Sequence, residues 1–340
     1  MSFSTKLQKN QKFRQELFNT WSLLEVLDCS KFKIFDSATV MNSIFTFKKD
    51  NSCSTIVGYK PTDSSNSFLE LIAQPMSNIT KENLLSMNQN WGLAFRLSQD
   101  KLRLVQKLAS QDKTLDCFFD CSQGYIPYRL SDLVKKYGKT EGTRIKKERL
   151  WHSEEKSEEF WIQELYGRDI TKYSYCPTGN YVKYGKHVAT YVDMKFFNLK
   201  RVVVREITNP GIVATIVDET FVNDPQLLPL IANENNPLMS YESLWALLNS
   251  RLATFFHFNH SPKATKGAFP KILIQDLNNF PVPNGSTDLW GLLNKKACTC
   301  LALGKNKADT SALEAEIDQL VYQLYGLTDD EISIIENSTK

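Results

Sequence analysis

The chain has 340 residues, which is long enough for two or three domains with hydrophobic cores. Hydrophobic residues make up 42% of it and charged residues 23%, a balance that excludes a disordered protein. No apolar run approaches the roughly 18–20 residues of a membrane span, so we expect no membrane partner. The start, MSFSTKLQKN, has no signal-peptide core, and we expect a cytoplasmic location.

The net charge of +3 does not by itself indicate a polyanionic partner, so the distribution of charge matters more. Residues 135–149 hold seven bases against Glu141 and Glu148, and residues 195–205 add Lys200 and Arg201 without an acid. The segment after residue 285 is acidic. Positive charge is therefore concentrated in the middle of the chain.

The seven cysteines are scattered, and the only close pairs are Cys117/Cys121 and Cys298/Cys300. A structural zinc site requires two pairs, usually with two to four residues between the members of each pair. The second pair has a single residue between its members, and no histidine completes a set. We expect buried reduced thiols and no metal site.

The first 62 residues read as one helix followed by strands. Residues 8–20 have helical spacing, residues 23–27 predict a short buried strand, and residues 38–47 and 55–59 predict two more around a polar turn. This set is too small for an independent doubly wound sheet. Residues 63–112 read as a linking segment.

Residues 116–129 predict a strand that leads into a glycine-containing loop. Gln123, Tyr125, Tyr128 and Arg129 lie in this loop. Glutamine pairs with adenine edges and arginine with guanine edges, and tyrosine stacks or contacts phosphate, so these four are candidates for base or groove contact. A purely structural loop is the alternative.

Residues 130–149 predict a basic helix or flexible segment, which Gly138 and Gly142 make unsuited to one uninterrupted helix. A DNA-backbone contact and a solvated basic face are both open. On the first reading Lys146 and Lys147 contact phosphates and Arg144 reaches a base or groove.

Two apolar runs, 201–207 and 212–217, predict strands. Arg205 lies within the first run. It either pairs with Glu206 or a buried acid, or it contacts DNA.

Residues 249–283 are the most informative stretch of the chain. Apolar residues from 244 to 255 have the spacing of one helix face, and a loop without acids follows, with Lys263, Lys266 and Lys271 around Gly267 and Phe269. After the loop come an apolar, strand-like run and a Pro-x-Pro end. Such a loop either lays its lysines along phosphates or is a solvated surface loop.

The C-terminal segment predicts amphipathic helices. Ser311-x-x-Glu314 and Thr328-x-x-Glu331 have the spacing of capping boxes, and Gly326 is placed to end the first of these helices. An acidic, amphipathic pair of helices is suited to packing on the rest of the chain rather than on DNA.

Several motifs, in the same order along the chain, resemble the TaqI-like C-terminal specificity domain of adenine-specific DNA methyltransferases and type IIG restriction-modification enzymes. The matching positions are Gly124, Ile126, Pro127 and Tyr128, then Leu165, Gly167, Asp169, Ile170 and Tyr173, then Leu248, Asn249, Ser250, Arg251 and Leu252, then Lys263, Gly267, Phe269, Pro270 and Lys271, then Phe280, Pro281, Val282 and Pro283. Of these, we expect a structural role for Gly124, Gly167, Asn249, Ser250, Gly267, Phe269, Pro270, Pro281 and Pro283.

The start of the chain resembles the last strands of a class I methyltransferase domain. The matching positions are Arg14, Leu17, Asp28, Phe35, Ala38, Thr39, Val40, Ile44, Phe47, Lys48 and Lys49. The glycine-rich donor turn and the Asn-Pro-Pro motif of that family are missing, because the only Asn-Pro pairs, at 209–210 and 236–237, are followed by Gly211 and Leu238.

The resemblance implies an α+β fold with four parts. We expect the end of a methyltransferase sheet at 1–62, a linking segment at 63–112, a mixed, β-rich target-recognition domain at 113–285 and C-terminal helices at 286–340.

The implied function is sequence-specific recognition of double-stranded DNA in a restriction-modification system, with Lys263, Lys266, Lys271, Lys146 and Lys147 on the phosphates. We expect no cofactor on this chain, and S-adenosylmethionine on a methyltransferase partner or in a full-length enzyme. One alternative is a subunit or fragment of an adenine methyltransferase that is active only with such a partner. Another is an assembly module that does not contact DNA.

Overall fold

In the computed structural model the chain forms two compact units, Met1–Lys107 and Leu108–Lys340. The structure describes residues 11–29, 32, 42–59, 67–73, 77–86, 97–156, 161–234, 236, 239–261, 263–264 and 269–339. The finer division predicted from the sequence, with boundaries near residues 62, 112 and 285, stays a prediction.

The first unit is built on a mixed sheet. Along the chain come α1 (Gln11–Thr20), β1 (Ser22–Asp28), β2 (Ser43–Lys48), β3 (Thr55–Tyr59), α2 (Phe68–Ala73), β4 (Ser77–Thr80), α3 (Lys81–Ser86) and α4 (Gln99–Ala109). The strand order is β2-β1-β3-β4, with β1 and β3 parallel and the other neighbours antiparallel. Leu23 and Val26 of β1 pack with Phe18 and Ile56 in the core, because the apolar side chains of the helix and the strands face each other.

These elements confirm the predicted helix and the predicted strands at 23–27 and 55–59. Of the strand expected at 38–47, the described part is β2, and residues 38–41 lie outside the described residues.

Within the described residues, the second unit contains two four-stranded sheets and a two-stranded ribbon. Its strands are β5 (Lys113–Thr114), β6 (Phe119–Cys121), β7 (His152–Ser153), β8 (Trp161–Leu165), β9 (Tyr181–Lys183), β10 (Arg201–Arg205), β11 (Ala214–Val217), β12 (Val222–Asn223), β13 (Leu227–Ala232) and β14 (Pro281–Val282). One sheet has the order β11-β10-β13-β6 and is antiparallel; the other has the order β12-β8-β9-β7, and β14 pairs with β5.

Strand β10 is buried along most of its length: the side chains of Arg201 and of the three valines that follow are all buried. Such a continuous apolar run is typical of a strand that is covered on both faces. Val203 packs with Leu165, Val217 and Leu227, so β10 lies in a core to which both four-stranded sheets contribute.

Two short helices, α5 (Leu130–Tyr137) and α6 (Lys139–Glu148), form a helical hairpin in the basic segment. Gly138 separates them with a φ of 80°, as predicted for a helix break. Gly142 instead lies inside α6, where an added Cβ would come within 2.8 Å of the Leu133 backbone. The prediction that this segment is not one uninterrupted helix is confirmed at Gly138, whereas Gly142 permits close packing of the two helices.

The central helical stretch is divided into α8 (Tyr241–Leu248) and α9 (Arg251–His260), after a short α7 (Lys195–Asn198). The single helix predicted across 244–255 is therefore wrong. Asn249 ends α8, and the hydroxyl of Ser250 accepts a hydrogen bond from Ala253 N and so begins α9.

The strand-like interpretation of the apolar run between the lysine loop and the Pro-x-Pro end is also wrong. Lys271 makes a single bridge with Ile207, and α10 (Ile274–Asn278) follows. The helix forms because Asp276 accepts a hydrogen bond from Leu273 N at 2.8 Å, which satisfies a free backbone donor at its start.

Three helices close the chain: α11 (Thr287–Lys305), α12 (Ser311–Leu324) and α13 (Asp329–Ser338). The capping box at Thr328 is confirmed, and Gly326 follows α12 with a φ of 59°. The box predicted at Ser311 is wrong, since Thr310 is the N-cap, makes no side-chain capping bond, and donates its hydroxyl to Glu314. Together the two units confirm the α+β fold class, and no helix among the described residues is long and apolar enough to cross a membrane.

Candidate nucleic-acid interface

The buried carboxylate of Glu164 connects the end of the helical hairpin to strand β8. Glu164 of β8 accepts hydrogen bonds from Tyr125 Oη on Oε1 at 2.5 Å and from Tyr166 Oη on Oε2 at 2.6 Å, and His152 Nε2 lies 3.1 Å from Oε2. The guanidinium of Arg149, the residue that ends α6, lies 3.6 Å away. The hairpin and the sheet are therefore joined through one side chain.

The charge of Glu164 is stabilised where it lies. Burial alone would raise the pKa of Glu164, but the hydrogen bond and charge of His152, with the hydroxyls of Tyr125 and Tyr166, outweigh burial and lower that pKa. The carboxylate is therefore ionised at neutral pH, and it holds the end of α6 against β8.

Tyr125 is fully buried, although the sequence predicts it as a base or groove contact. Burial raises its pKa well above the ordinary value, and its hydroxyl is used by Glu164. Gly124 allows this insertion, since an added Cβ would lie 1.8 Å from the carbonyl oxygen of Asp224. The predicted contact of Tyr125 with DNA is corrected to a structural role, because no surface of this side chain is available to a base.

Tyr128 is half-buried. Its hydroxyl lies 2.8 Å from His152 Nδ1 and accepts a hydrogen bond from Trp151 N, and its ring stacks on Trp151 at 4.9 Å between centroids. Burial raises the pKa of Tyr128 to about 12. These contacts hold Tyr128 in the network beneath the hairpin, so its availability to a base is limited.

The remaining predicted groove contacts lie at the surface. Gln123 is exposed. Arg129 forms an ion pair with Asp132 at 3.0 Å and donates to Thr190 Oγ1 at 3.0 Å. Arg144 lies between Glu141 and Glu148 at 2.7 and 3.1 Å, so two carboxylates on its own helix already neutralise it.

The lysines of the helical hairpin differ from these arginines. Lys146 and Lys147 are exposed, and neither has a carboxylate partner among the residues that the structure describes. The same is true of Lys135, Lys136 and Lys139. The hairpin therefore presents cations whose ionic interactions are not already made within the chain, which is what a phosphate surface requires.

The lysine loop that follows α9 is only partly described. Lys263 is exposed, whereas Lys266 and Gly267 lie outside the described residues. Lys271 forms an ion pair with Glu206 at 2.8 Å. Of the three predicted phosphate contacts, Lys271 therefore already has an internal partner.

Phe269 corrects another expectation. The sequence places it in the scaffold, but 66% of its surface is exposed. Its neighbour Pro270 does have a structural contact, since its carbonyl accepts a hydrogen bond from Thr208 N at 3.0 Å.

Other predicted motif residues lie in the scaffold. The amide of Asn249 exchanges hydrogen bonds with both backbone groups of Ala214, which ties α8 to β11. Gly167 accepts a hydrogen bond from Arg205 Nε at 2.8 Å, so Arg205 is bound to the backbone and not to an acid. Pro281 and Pro283 are buried, and the carbonyl of Pro281 accepts from Tyr325 Oη.

Metal chemistry finds no support in the described ranges, which hold no group of three or more ligand-type side chains. All seven cysteines are free. The predicted burial is wrong for Cys117, Cys176 and Cys298, which are exposed.

The sequence motifs do not include the loop at 185–191, which the fold joins to the loop of Arg129. Its signal in the sequence, YVKYGKH, is two lysines beside a glycine turn. Nothing in that pattern indicates which other residues it meets in the fold.

The comparisons with known proteins agree with the motif analysis. Residues 162–282 match the TaqI-like C-terminal specificity domain family. The predicted resemblance is confirmed for this part of the chain. The specificity domain thus includes Glu164, while the helical hairpin precedes it. No match was found among curated proteins.

Solved structures give the fold. The type IIL restriction-modification enzyme MmeI, in complex with DNA, matches with a TM-score of 0.53 and 12% identity over 98% of this chain and 48% of that chain. The type IIG restriction endonuclease BpuSI matches with a TM-score of 0.39 and 13% identity, over 94% and 46% of the two chains. A type I restriction-modification system protein matches with a TM-score of 0.33 and 14% identity, over 66% and 50%. The chain therefore spans about half the length of each of these proteins.

Proposed function

We propose that this chain is the part of a restriction-modification system that recognises a specific sequence in double-stranded DNA. The observation that carries the proposal is the specificity-domain match over 162–282, in a unit whose Glu164 also holds a helical hairpin with unpaired lysines. A specificity domain needs a cationic surface for the backbone and side chains that read base edges. In this proposal the hairpin lysines supply the first, and Gln123, Arg129 and Arg144 supply the second.

In this proposal Lys146 and Lys147 contact phosphates along the hairpin, and Lys263 and Lys266 contact them from the loop after α9. Lys271 contributes less, since its ammonium must first leave Glu206. Such contacts give affinity without sequence information.

Gln123, Arg129 and Arg144 are the proposed groove contacts. Gln123 is the most available of them for a base edge, because both arginines form ion pairs with carboxylates of their own chain. Arg129 and Arg144 must exchange those partners for a base edge.

Methyl transfer to adenine, in this proposal, belongs to a partner chain or to further domains of a longer enzyme. The residues present do not fit a methyl-donor site, because the first glycine of the chain is Gly58, which is buried inside β3. A glycine-rich turn after a strand is the usual place for such a donor. S-adenosylmethionine is thus expected on the partner, and no reaction step is assigned to this chain.

The experiment is duplex binding by the full chain, measured by fluorescence anisotropy across a salt series. We expect the logarithm of the binding constant to fall linearly with the logarithm of salt concentration, because each lysine on a phosphate releases a counterion. The series is run alone and with a methyltransferase protein that carries the donor and Asn-Pro-Pro motifs. A flat salt response, or no binding in either condition, would contradict the proposal and favour an assembly module.

A further inference from the structure

The loop at 185–191, here called the second loop, is joined to the predicted recognition loop at 123–129. Ile126 and Thr190 form a two-way backbone bridge, with N–O distances of 3.2 and 2.9 Å. Ala189 N donates to Pro127 O, and Arg129 donates to Thr190 Oγ1 at 3.0 Å. The two loops therefore form one surface element, and whatever contacts Arg129 also lies near the second loop.

The second loop contains the half-buried His187 and the exposed Lys186. Burial lowers the pKa of His187, and the charges of Lys183 and Lys136 lower it further, while a backbone hydrogen bond at Lys183 raises it. The ring packs edge-on against Trp151 at 4.7 Å between centroids, which fixes its place beneath the loop. Lys186 precedes it on the same turn, is exposed, and has no ion-pair partner within the described part of the chain.

The second loop also holds an aromatic ring in a fixed position. Tyr191 is 43% exposed and stacks on Tyr184, with ring centroids 5.3 Å apart and planes inclined by 21°. The hydroxyl of Tyr184 donates to Val192 O and accepts a hydrogen bond from Val192 N at 2.8 Å. These bonds hold the ring of Tyr184 in place against Tyr191. Tyr191 thus keeps one side supported and part of its surface open.

We propose that the second loop is a further DNA-contacting element, in which Lys186 binds a backbone phosphate and Tyr191 packs against a sugar or base. A supported aromatic ring and an exposed lysine on one loop are a combination suited to nucleic acids, since the lysine meets the phosphate and the ring meets the apolar faces. The inference rests on the proposed function and extends it to residues outside the motifs that the sequence singled out.

The test uses the full chain, a fluorescent duplex of mixed sequence and a salt series. Lys186→Ala is expected to lower the salt slope by about one, the value for one lost phosphate contact. Tyr191→Ala is expected to weaken binding about tenfold with the slope unchanged, and Tyr191→Phe to bind like the parent, because ring contact and not charge is removed. Lys305→Ala is the matched control, an exposed lysine at the end of α11.

Unfolding midpoints of all variants are compared with the parent, so that a folding defect is recognised. If Lys186→Ala keeps the slope of Lys305→Ala, or Tyr191→Ala binds like Tyr191→Phe, the second loop does not contact DNA. If Lys146→Ala/Lys147→Ala still lowers the slope in that case, the proposed function stands without this inference. Absence of duplex binding by the parent chain, with and without a methyltransferase partner, overturns both.

Discussion

The helical hairpin and strand β10 are both rich in cations in the sequence, yet they use them in opposite ways. The hairpin lysines are exposed, and those at 146 and 147 have no carboxylate partner among the described residues. Around β10, Arg201 is fully buried and Lys200 pairs with Glu242 at 2.7 Å. Counting lysines and arginines along the chain therefore does not distinguish cations available to DNA from cations that stabilise the fold.

The two elements differ because the hairpin is buried on one face only, whereas β10 is buried along most of its length. The hairpin buries one face, through Leu133 and Ile145, so its other residues face solvent. Strand β10 is covered along its length, and a cation there requires internal acceptors. Arg201 donates to the carbonyls of Leu199, Glu219 and Phe221, and burial lowers its pKa to about 10.

The strongest challenge to this comparison is Arg201→Ala. It leaves three backbone carbonyls without their donor and opens a cavity at a fully buried side chain, and we expect the free energy of unfolding to fall by about 3 kcal/mol or more. Urea denaturation measures it. Lys200→Ala is the control, with an expected loss of about 1 kcal/mol or less because its ion pair is exposed. An Arg201 variant as stable as the control would mean that the hydrogen bonds of this arginine do not stabilise the fold.

Glu164→Gln tests the connection between the hairpin and the specificity domain. The amide retains the shape but removes the charge that faces His152 and Arg149, so we expect a loss of about 2 kcal/mol in unfolding free energy. We also expect weaker duplex binding, because the hairpin is less firmly placed. Unchanged affinity with reduced stability would show that the hairpin does not need this connection to contact DNA.

Asp224 provides a smaller effect, which depends on pH. Burial raises its pKa to about 7, and the nearby charges of Glu164 and Asp169 raise it too. A carboxyl whose folded pKa exceeds its unfolded value of 3.8 contributes stability that is complete below that value and is lost as pH rises through about 7.

Asp224→Asn removes this titration, so the variant should gain stability relative to the parent between about pH 5 and pH 8. Urea unfolding at both pH values measures the difference, and Asp288→Asn, an exposed carboxyl on α11, is the control. A constant difference between Asp224→Asn and the parent at the two pH values would mean that Asp224 is ionised throughout.

Local patterns predicted much of this molecule. The strands at 23–27 and 55–59 and the capping box at Thr328 depend on neighbours within a few residues, and all three are confirmed. The specificity-domain motifs within 162–282 could also be recognised, because each is a short pattern of neighbouring residues.

Contacts between distant residues could not be predicted in the same way. The pair of Lys271 with Glu206 joins residues 65 positions apart, and Tyr125 meets Glu164 at a separation of 39. The ammonium of Lys271 and the hydroxyl of Tyr125 are suited to DNA contact. Only the fold shows that each is already bonded to a glutamate of the same chain. The exposure of Phe269 and the joining of the second loop to Arg129 were hidden for the same reason.

The most direct test of the account compares the salt dependence of duplex binding for two double variants of the full chain with equal charge change. Lys146→Ala/Lys147→Ala removes two unpaired lysines of the hairpin, and Lys200→Ala/Lys271→Ala removes two that are paired internally. We predict that the first lowers the salt slope by about two and the second by less than one. An equal fall in both, or no fall in the first, would contradict the account.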